Sequence, residues 1–431
     1  MTEVFVVIVL AVGLGFAVRA FGFAKCALML MLVCTALVPR NLTSTSLSKH
    51  VGIAPSNPEL TTYAVVLAGF LLFAVFRPQH GYRLWLWIPL LLWLTLGTIL
   101  IWSGGPTVEA GVLQLILAPA GWVLGVNISG QVSSDGGRFL VRTVFLIIFV
   151  QLLVCGLQVL GLNVNAMDAS QEAILGLRYN GTLGHPNDLG KIIFLLVALI
   201  LPFGRKLERF DLAIWRMAIA AALVVLGLTG GRAVSAATVC MLLLWSVLSP
   251  SREGTKGRKA LTVGIALTAA VFLAGVLLGR FDEDPEGGAR TTLTDIAWAQ
   301  IMSSPWAGVG PNLYVDVVGS YNPLTASGVP VHNAFLLALA EIGVVGALAL
   351  LLPIVACLIR VLPRTRLRSF SGEASRVYVC ALPGLYLIGT TGWGVLGGYV
   401  LPLLAMVFAV VYSWSAQPEV EELSQLEFAQ R

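Results

Sequence analysis

The sequence predicts an all-α polytopic membrane protein, a helix bundle of 12 or 13 spans. Three observations lead there. Of the 431 residues, 57% are hydrophobic and only 11% are charged, whereas a soluble domain carries about 25% charged residues. The apolar residues come in blocks separated by short polar turns, each block long enough, at ~1.5 Å per residue, to cross ~30 Å of hydrocarbon. Within hydrocarbon every backbone amide needs an internal partner, so such blocks are helices. The shorter alternating segments of a β-barrel are missing from the pattern.

Candidate spans run near 4–18, 22–38, 61–76, 84–102, 108–128, 139–162, 188–203, 211–229, 233–248, 260–279, 333–358, 377–392 and 395–414. The first two are short enough to form a single hairpin, and only Gly392, Trp393 and Gly394 separate the last two, hence the count of 12 or 13. The start, Met1-Thr2-Glu3, has no basic n-region, so the first block reads as an uncleaved span. Lysines and arginines set the orientation. Arg205, Lys206, Arg209 and Arg216 form one basic loop, and Arg252, Lys256, Arg258 and Lys259 a second. Arg360, Arg364, Arg366, Arg368 and Arg376 form a third. These alternate with poorer loops and are expected on the cytoplasmic side, together with the tail after 415.

Three segments then face outward: Asn163 to Asn187, the turn Thr229 to Arg232, and Phe281 to Val331, the longest. Long loops are uncommon unless they serve a function. This one contains Leu293, Ile296, Ala297 and Ile301 at helical spacing, with Arg290 near the helix start and Pro305 closing it. Gly308, Gly310 and Pro311 then read as a turn.

Net charge is +5, spread over loops that flank spans, which is a topology signal and not a nucleic-acid surface. The six cysteines sit in or beside apolar blocks without metal-ligand spacing, so packed thiols are expected. No Walker A loop or dinucleotide fingerprint occurs, and neither a cofactor nor a metal is expected. The acidic run Asp282 to Glu286 reads as solvated loop.

Polar residues near the bilayer are costly, so their places carry information. Arg232 follows two glycines in an outward turn, where the inside rule disfavours positive charge. Arg290 is a second outward arginine. A pair of planar guanidinium groups can clamp a diphosphate bidentately. His332 stands where the long loop re-enters the membrane, and an imidazole there can take a proton from a hydroxyl near neutral pH. The other histidines are His50, His80 and His185. His185 and Asn187 read as a turn with Asn187 as helix cap, and Asn333 follows His332 directly. Glu341 falls within a span. On an ideal helix it lies about 180° from His332, which makes it a buried hydrogen-bond partner and not a direct catalyst.

In chain order come GTLGHPN at 181–187, TGGRA at 229–233, arginine and tryptophan at 290 and 298, SPWAGVGPN at 304–312 and VHNAFLLALAEIGVVG at 331–346. Together they resemble the bacterial O-antigen ligase and O-antigen polymerase superfamily over roughly 140–415. The chain then divides into N-terminal membrane spans at 1–139, an O-antigen ligase-like membrane domain at 140–415 including outer loop 281–331, and a cytoplasmic tail at 416–431. The resemblance implies a fold similar to C-type glycosyltransferases. It also implies an active site at the outer face of the cytoplasmic membrane and metal-independent, inverting transfer. The donor would be a glycan on undecaprenyl diphosphate. The acceptor would be a hydroxyl of another glycan, of lipid A core or of another molecule. Carried over by motif, His332 is the base, Arg232 and Arg290 bind the donor diphosphate, and His185, Asn187, Asn333 and Glu341 support them. A secondary transporter or flippase is the alternative, since many membrane helices serve transport as well.

Overall fold

The computed structural model describes residues 18–19, 22–38, 52–76, 84–102, 104–131, 136–162, 164–165, 178–250, 264 and 290–417. The candidate spans at 4–18 and 260–279, His50, His80, the acidic run and most of the tail therefore lie outside the described residues, Val18 and Gly264 aside.

The described chain is helical, with no strand of regular length. Its helices are α1 (Phe23–Ala36), α2 (Thr62–Phe76), α3 (Ile88–Leu96), α4 (Pro106–Gln131), α5 (Gly136–Val159), α6 (Pro186–Ile200) and α7 (Arg209–Thr229). They continue with α8 (Arg232–Leu248), α9 (Arg290–Ser303), α10 (Tyr314–Gly319), α11 (Pro323–Ala326), α12 (Ala334–Val361), α13 (Phe370–Thr391) and α14 (Val400–Ser415). Among the described residues, five segments are long and apolar enough to cross a membrane: Pro106–Gly130, Gly137–Val159, Pro186–Arg205, Arg209–Thr229 and Ala334–Arg366. Five shorter apolar helices lie among them. The chain is a multi-pass membrane protein. Its six cysteines are all free thiols.

α6 and α14 form the centre and are buried along nearly their whole length. α4 lies directly against α14, because Gly121 and Gly125 let the backbones meet: a Cβ at Gly125 would stand 2.8 Å from the Ala409 methyl. Small residues at such crossings permit close packing where no hydrophobic drive exists between helices in lipid. α7 packs on α5, α8 on α13, and α9 on α12. Outward from this core, Val345, Leu348, Leu352, Val355 and Ile359 of α12 are exposed at alternating spacings of three and four. An exposed apolar ridge of this length faces lipid, not water.

Two of the basic loops meet at one end of the bundle, where the Arg205 guanidinium reaches the Pro250 carbonyl. There Glu373, almost fully buried, takes Arg205 at 2.7 Å and Arg376 at 2.9 Å. Arg376 also holds the Leu367 carbonyl at 2.8 Å. The opposite end carries the turns 178–189, 229–232 and 305–333.

Candidate functional site

The site is organised around a break in α12. Asn333 caps that helix, its Oδ1 accepting the Phe335 and Leu336 N–H groups at 2.9 and 3.1 Å. Helical geometry then fails at Gly343, with φ 67 and ψ 180, a conformation open essentially to glycine alone. A break inside a span strands backbone groups that lipid cannot satisfy. The segment Pro305 to Gly310 fills the gap. Val309 N–H donates to the Ala340 carbonyl at 2.9 Å, Gly310 N–H to the Glu341 carbonyl at 2.8 Å, and Val344 N–H to the Pro305 carbonyl at 2.9 Å. Two indoles of the α3 region finish the satisfaction: Trp93 donates to the Ile342 carbonyl at 2.9 Å and Trp102 to the Ala307 carbonyl at 3.0 Å. Gly308 is required at the contact, since a Cβ there would lie 2.7 Å from the Ala340 oxygen.

Glu341 is 2% exposed. Its carboxylate takes the backbone N–H groups of Asn312 and Tyr314. Asn312, at φ 66, in turn accepts the Ala54 N–H at 3.0 Å and donates to the Pro55 carbonyl at 2.9 Å. Glu341 therefore anchors the long loop, and through Asn312 a second loop, to α12. The helical-wheel angle between Glu341 and His332 does not apply, because His332 precedes the cap and is not on the helix.

Arg290 is the first residue of α9, whose Leu293, Ala297, Gln300 and Ile301 are buried. α9 packs on α12, and this brings the exposed Arg290 charge to bear on the His332 ring. Burial pushes the His332 imidazole below its ordinary value of 6.5, Arg290 pushes it further, and the Pro330 carbonyl opposes both. His332 Nδ1 is buried and makes no hydrogen bond of standard geometry among the described residues. The ring is thus held neutral at pH 7 with one nitrogen wanting a partner.

A second cluster forms at the start of α6. The sequence reading made Asn187 the cap, but His185 takes that place, its Nδ1 accepting the Asn187 N–H at 3.1 Å. Pro186 decides this: proline fits the first helical position, so the residue before it becomes the cap. The Asn187 side chain instead receives the Arg178 guanidinium, which also donates from Nε to the Thr229 carbonyl at 2.7 Å. Arg178, nearly buried, thereby ties the GTLGHPN segment to the turn before Arg232. A Cβ on Gly231 would stand 3.9 Å from both the Arg178 and Asn187 side chains. Arg178 escaped the motif reading, although the rule that singled out Arg232, an arginine in an outward loop, applies to it equally. Nearby, the buried Lys191 pairs with Asp188 at 2.8 Å.

Arg232 opens α8 and is half-buried. α8 runs antiparallel to α13, with the Ala237 carbonyl 3.1 Å from where a Cβ on Gly384 would be. Five residues further toward the site, about 7.5 Å, stand Arg232 on α8 and Gly389 on α13. At Gly389 the Phe335 ring of α12 packs, 2.8 Å from a Cβ built there. Arg232 and the start of α12 therefore share one level on α13. The structure brings the Arg290 charge within electrostatic reach of His332, groups Arg178, His185, Asn187 and the Arg232 turn, and brings both groups to the same end of the bundle.

Residues 190–351 match the family model described as O-antigen ligase. This segment, less than half of the chain, is similar to O-antigen ligases. No curated protein matches the chain. The O-antigen ligase domain contains Arg232, Arg290, His332, Asn333 and Glu341, and begins just after His185 and Asn187. Among the described residues, no three histidine, cysteine or acidic side chains gather as metal ligands.

Proposed function

We propose that this protein transfers or polymerises a glycan from an undecaprenyl-diphosphate-linked donor onto an acceptor hydroxyl at the outer face of the cytoplasmic membrane. The observation that carries the reading is the pairing of Arg290 with a half-buried, neutral His332 inside the O-antigen ligase domain. The acceptor hydroxyl, of a glycan, lipid A core or another molecule, lies against the exposed edge of the half-buried His332 ring. Its oxygen attacks the anomeric carbon as its proton passes to His332. The bond from that carbon to the diphosphate oxygen breaks, and undecaprenyl diphosphate departs. A single displacement of this kind inverts the anomeric centre. Arg290 and Arg232 receive the charge that grows on the leaving diphosphate, as preorganised donors do at developing anions. Asn333 fixes the backbone beside the base, Glu341 holds the loop, and His185 and Asn187 shape the turn behind Arg232. Arginine supplies the diphosphate recognition without a metal in this scheme.

Depth supports the same assignment. Arg360 lies over the Trp85 ring, 5.5 Å from its centroid, a pairing suited to a membrane interface. Measured outward from Arg360 along α12, ~30 Å of hydrocarbon ends about 20 residues away, near Ala340. His332 then stands up to ~12 Å beyond, at the level of headgroups and water. A lipid-linked diphosphate occupies that level too.

The transporter alternative gains one observation, the break in α12, since transporters build substrate and ion sites from broken helices. Here the carbonyls of Ala340, Glu341 and Ile342 are already bonded by Val309, Gly310 and Trp93. They leave no ring of open oxygens for a cation. The test is single-turnover transfer by purified protein in nanodiscs, using Arg232→Lys and Arg290→Lys. Lysine keeps the charge and loses the fork, and each variant should be slower by about 10²–10³-fold. Wild-type rates in both would remove the clamp from the scheme.

A further inference from the structure

α9 has three faces, not two. The buried face carries Leu293, Ala297, Gln300 and Ile301. The exposed remainder divides again. Trp298 and Met302 stand ~40° apart on the helical wheel at ~100° per residue, and they are 45% and 71% exposed. Trp306, in the turn that follows, is 69% exposed. On the other edge of the exposed arc lie Thr292, Ala299 and Ser303, small or polar and all exposed, while Asp295 and Thr291, also exposed, fall within ~20° of Met302 but about 10 Å or more nearer the helix start. Two tryptophans and a methionine open to water in a row would be costly, at roughly 25 cal/mol per Å² of apolar surface.

The row ends at the level of an interface already described. The Trp306 backbone lies against Gly343, where a Cβ would stand 2.6 Å from the Ala307 nitrogen. Trp306 therefore stands at the level of the outer end of the exposed ridge of α12, which begins at Val345. From Arg360 to Gly343 is 17 residues, about 26 Å of helix. This puts Trp306 close to the outer limit of a ~30 Å hydrocarbon layer. Tryptophan is enriched at that boundary because its ring is apolar and its N–H wants water or a headgroup.

We infer that α9 is an interfacial helix, with Trp298, Met302 and Trp306 seated among the acyl chains of outer-leaflet phospholipid and the Thr292–Ala299–Ser303 edge turned to headgroups and water. The bilayer surface then fixes the height of Arg290, at the start of the same helix, and with it the height at which His332 meets a lipid-borne substrate. The inference rests on the membrane reading and its sidedness, and not on any catalytic role of Arg290 or His332.

The experiment compares Met302→Cys with Ser303→Cys, neighbours ~100° apart on the wheel. Both are reacted with a charged, bilayer-excluded maleimide in phospholipid nanodiscs, with wild-type protein giving the background of the native thiols. Met302→Cys is expected to react at least about tenfold more slowly. Equal rates, both fast or both slow, overturn the inference. Lipids brominated near the headgroup end of their chains supply the second measurement, since they quench only tryptophans that touch them. Wild-type emission should be quenched more than that of Trp298→Phe/Trp306→Phe. Unchanged quenching in the double variant would mean that something other than lipid covers the row.

Discussion

Gly343→Ala attacks the feature that positions everything else at the site. Two contributions can be summed. Forcing alanine into φ 67, ψ 180 costs on the order of 1–3 kcal/mol. The new Cβ would overlap the Trp306 carbonyl and stand 2.6 Å from the Ala307 nitrogen, both backbone atoms that cannot rotate aside. Relieving the overlap moves Pro305 to Gly310 away and opens the bonds Val344 to Pro305, Val309 to Ala340 and Gly310 to Glu341. At ~1 kcal/mol each these add ~3, for a total of about 4–6 kcal/mol. Gly69→Ala is the control, because its Cβ meets nothing within 4 Å. Equilibrium unfolding in mixed micelles should show Gly343→Ala losing several kcal/mol while Gly69→Ala stays within about 1. Gly308→Ala, at φ 67 and facing the Ala340 oxygen, should repeat the loss. A Gly343→Ala midpoint equal to that of Gly69→Ala would refute the claim that the break is held by the 305–310 segment.

Three further outcomes are expected. The imidazole of His332 is held below 6.5 by burial and then by Arg290. A base must be neutral to accept a proton, so transfer should fall only as the pH drops through that lowered value. Arg290→Gln removes one lowering cause and should move this acid limb to higher pH as well as slow the reaction. An unmoved limb would separate the two residues. Arg178→Lys cannot reach both the Thr229 carbonyl and Asn187. Losing one charge-assisted bond of ~1.5–3 kcal/mol should cut transfer about tenfold or more, with the pH profile in place. A shifted profile would mean Arg178 acts on His332 and not on the Arg232 turn. At the basic end, Glu373→Gln leaves Arg205 and Arg376 facing a neutral amide. It should cost about 3–5 kcal/mol of stability without slowing transfer per folded molecule, and an unchanged denaturation midpoint would contradict this.

The spans were legible because hydrocarbon leaves few choices. Apolar blocks at 108–128, 139–162 and 211–229 match helices α4, α5 and α7, with ends off by a few residues. The buried stripe of α9 was legible for a similar reason, since Leu293, Ala297 and Ile301 recur at the helical period. The break at Gly343 was not legible. A glycine in an apolar run reads as helix, and its partner Trp306 is remote in sequence, so only the folded chain shows why glycine is needed there. The angle assigned between His332 and Glu341 failed with it, because the wheel assumed one helix through both. Arg178 was passed over because it sits outside any motif. Its partners, a backbone carbonyl and a side-chain amide, leave no pattern in the sequence.

The central claim is that His332 takes the acceptor's proton as undecaprenyl diphosphate leaves. The most direct measurement is release of undecaprenyl diphosphate in a single turnover, with purified protein in nanodiscs, lipid-linked glycan and acceptor, for wild type and His332→Gln across roughly pH 5–9, a range that brackets histidine titration. Glutamine can hydrogen-bond but cannot accept a proton near neutrality. The account predicts acceptor-dependent release by wild type that declines at acid pH. It predicts release by His332→Gln slower by about 10²–10⁴-fold, with donor still bound through Arg232 and Arg290. Full-rate release by His332→Gln, with the same acid decline, would contradict it.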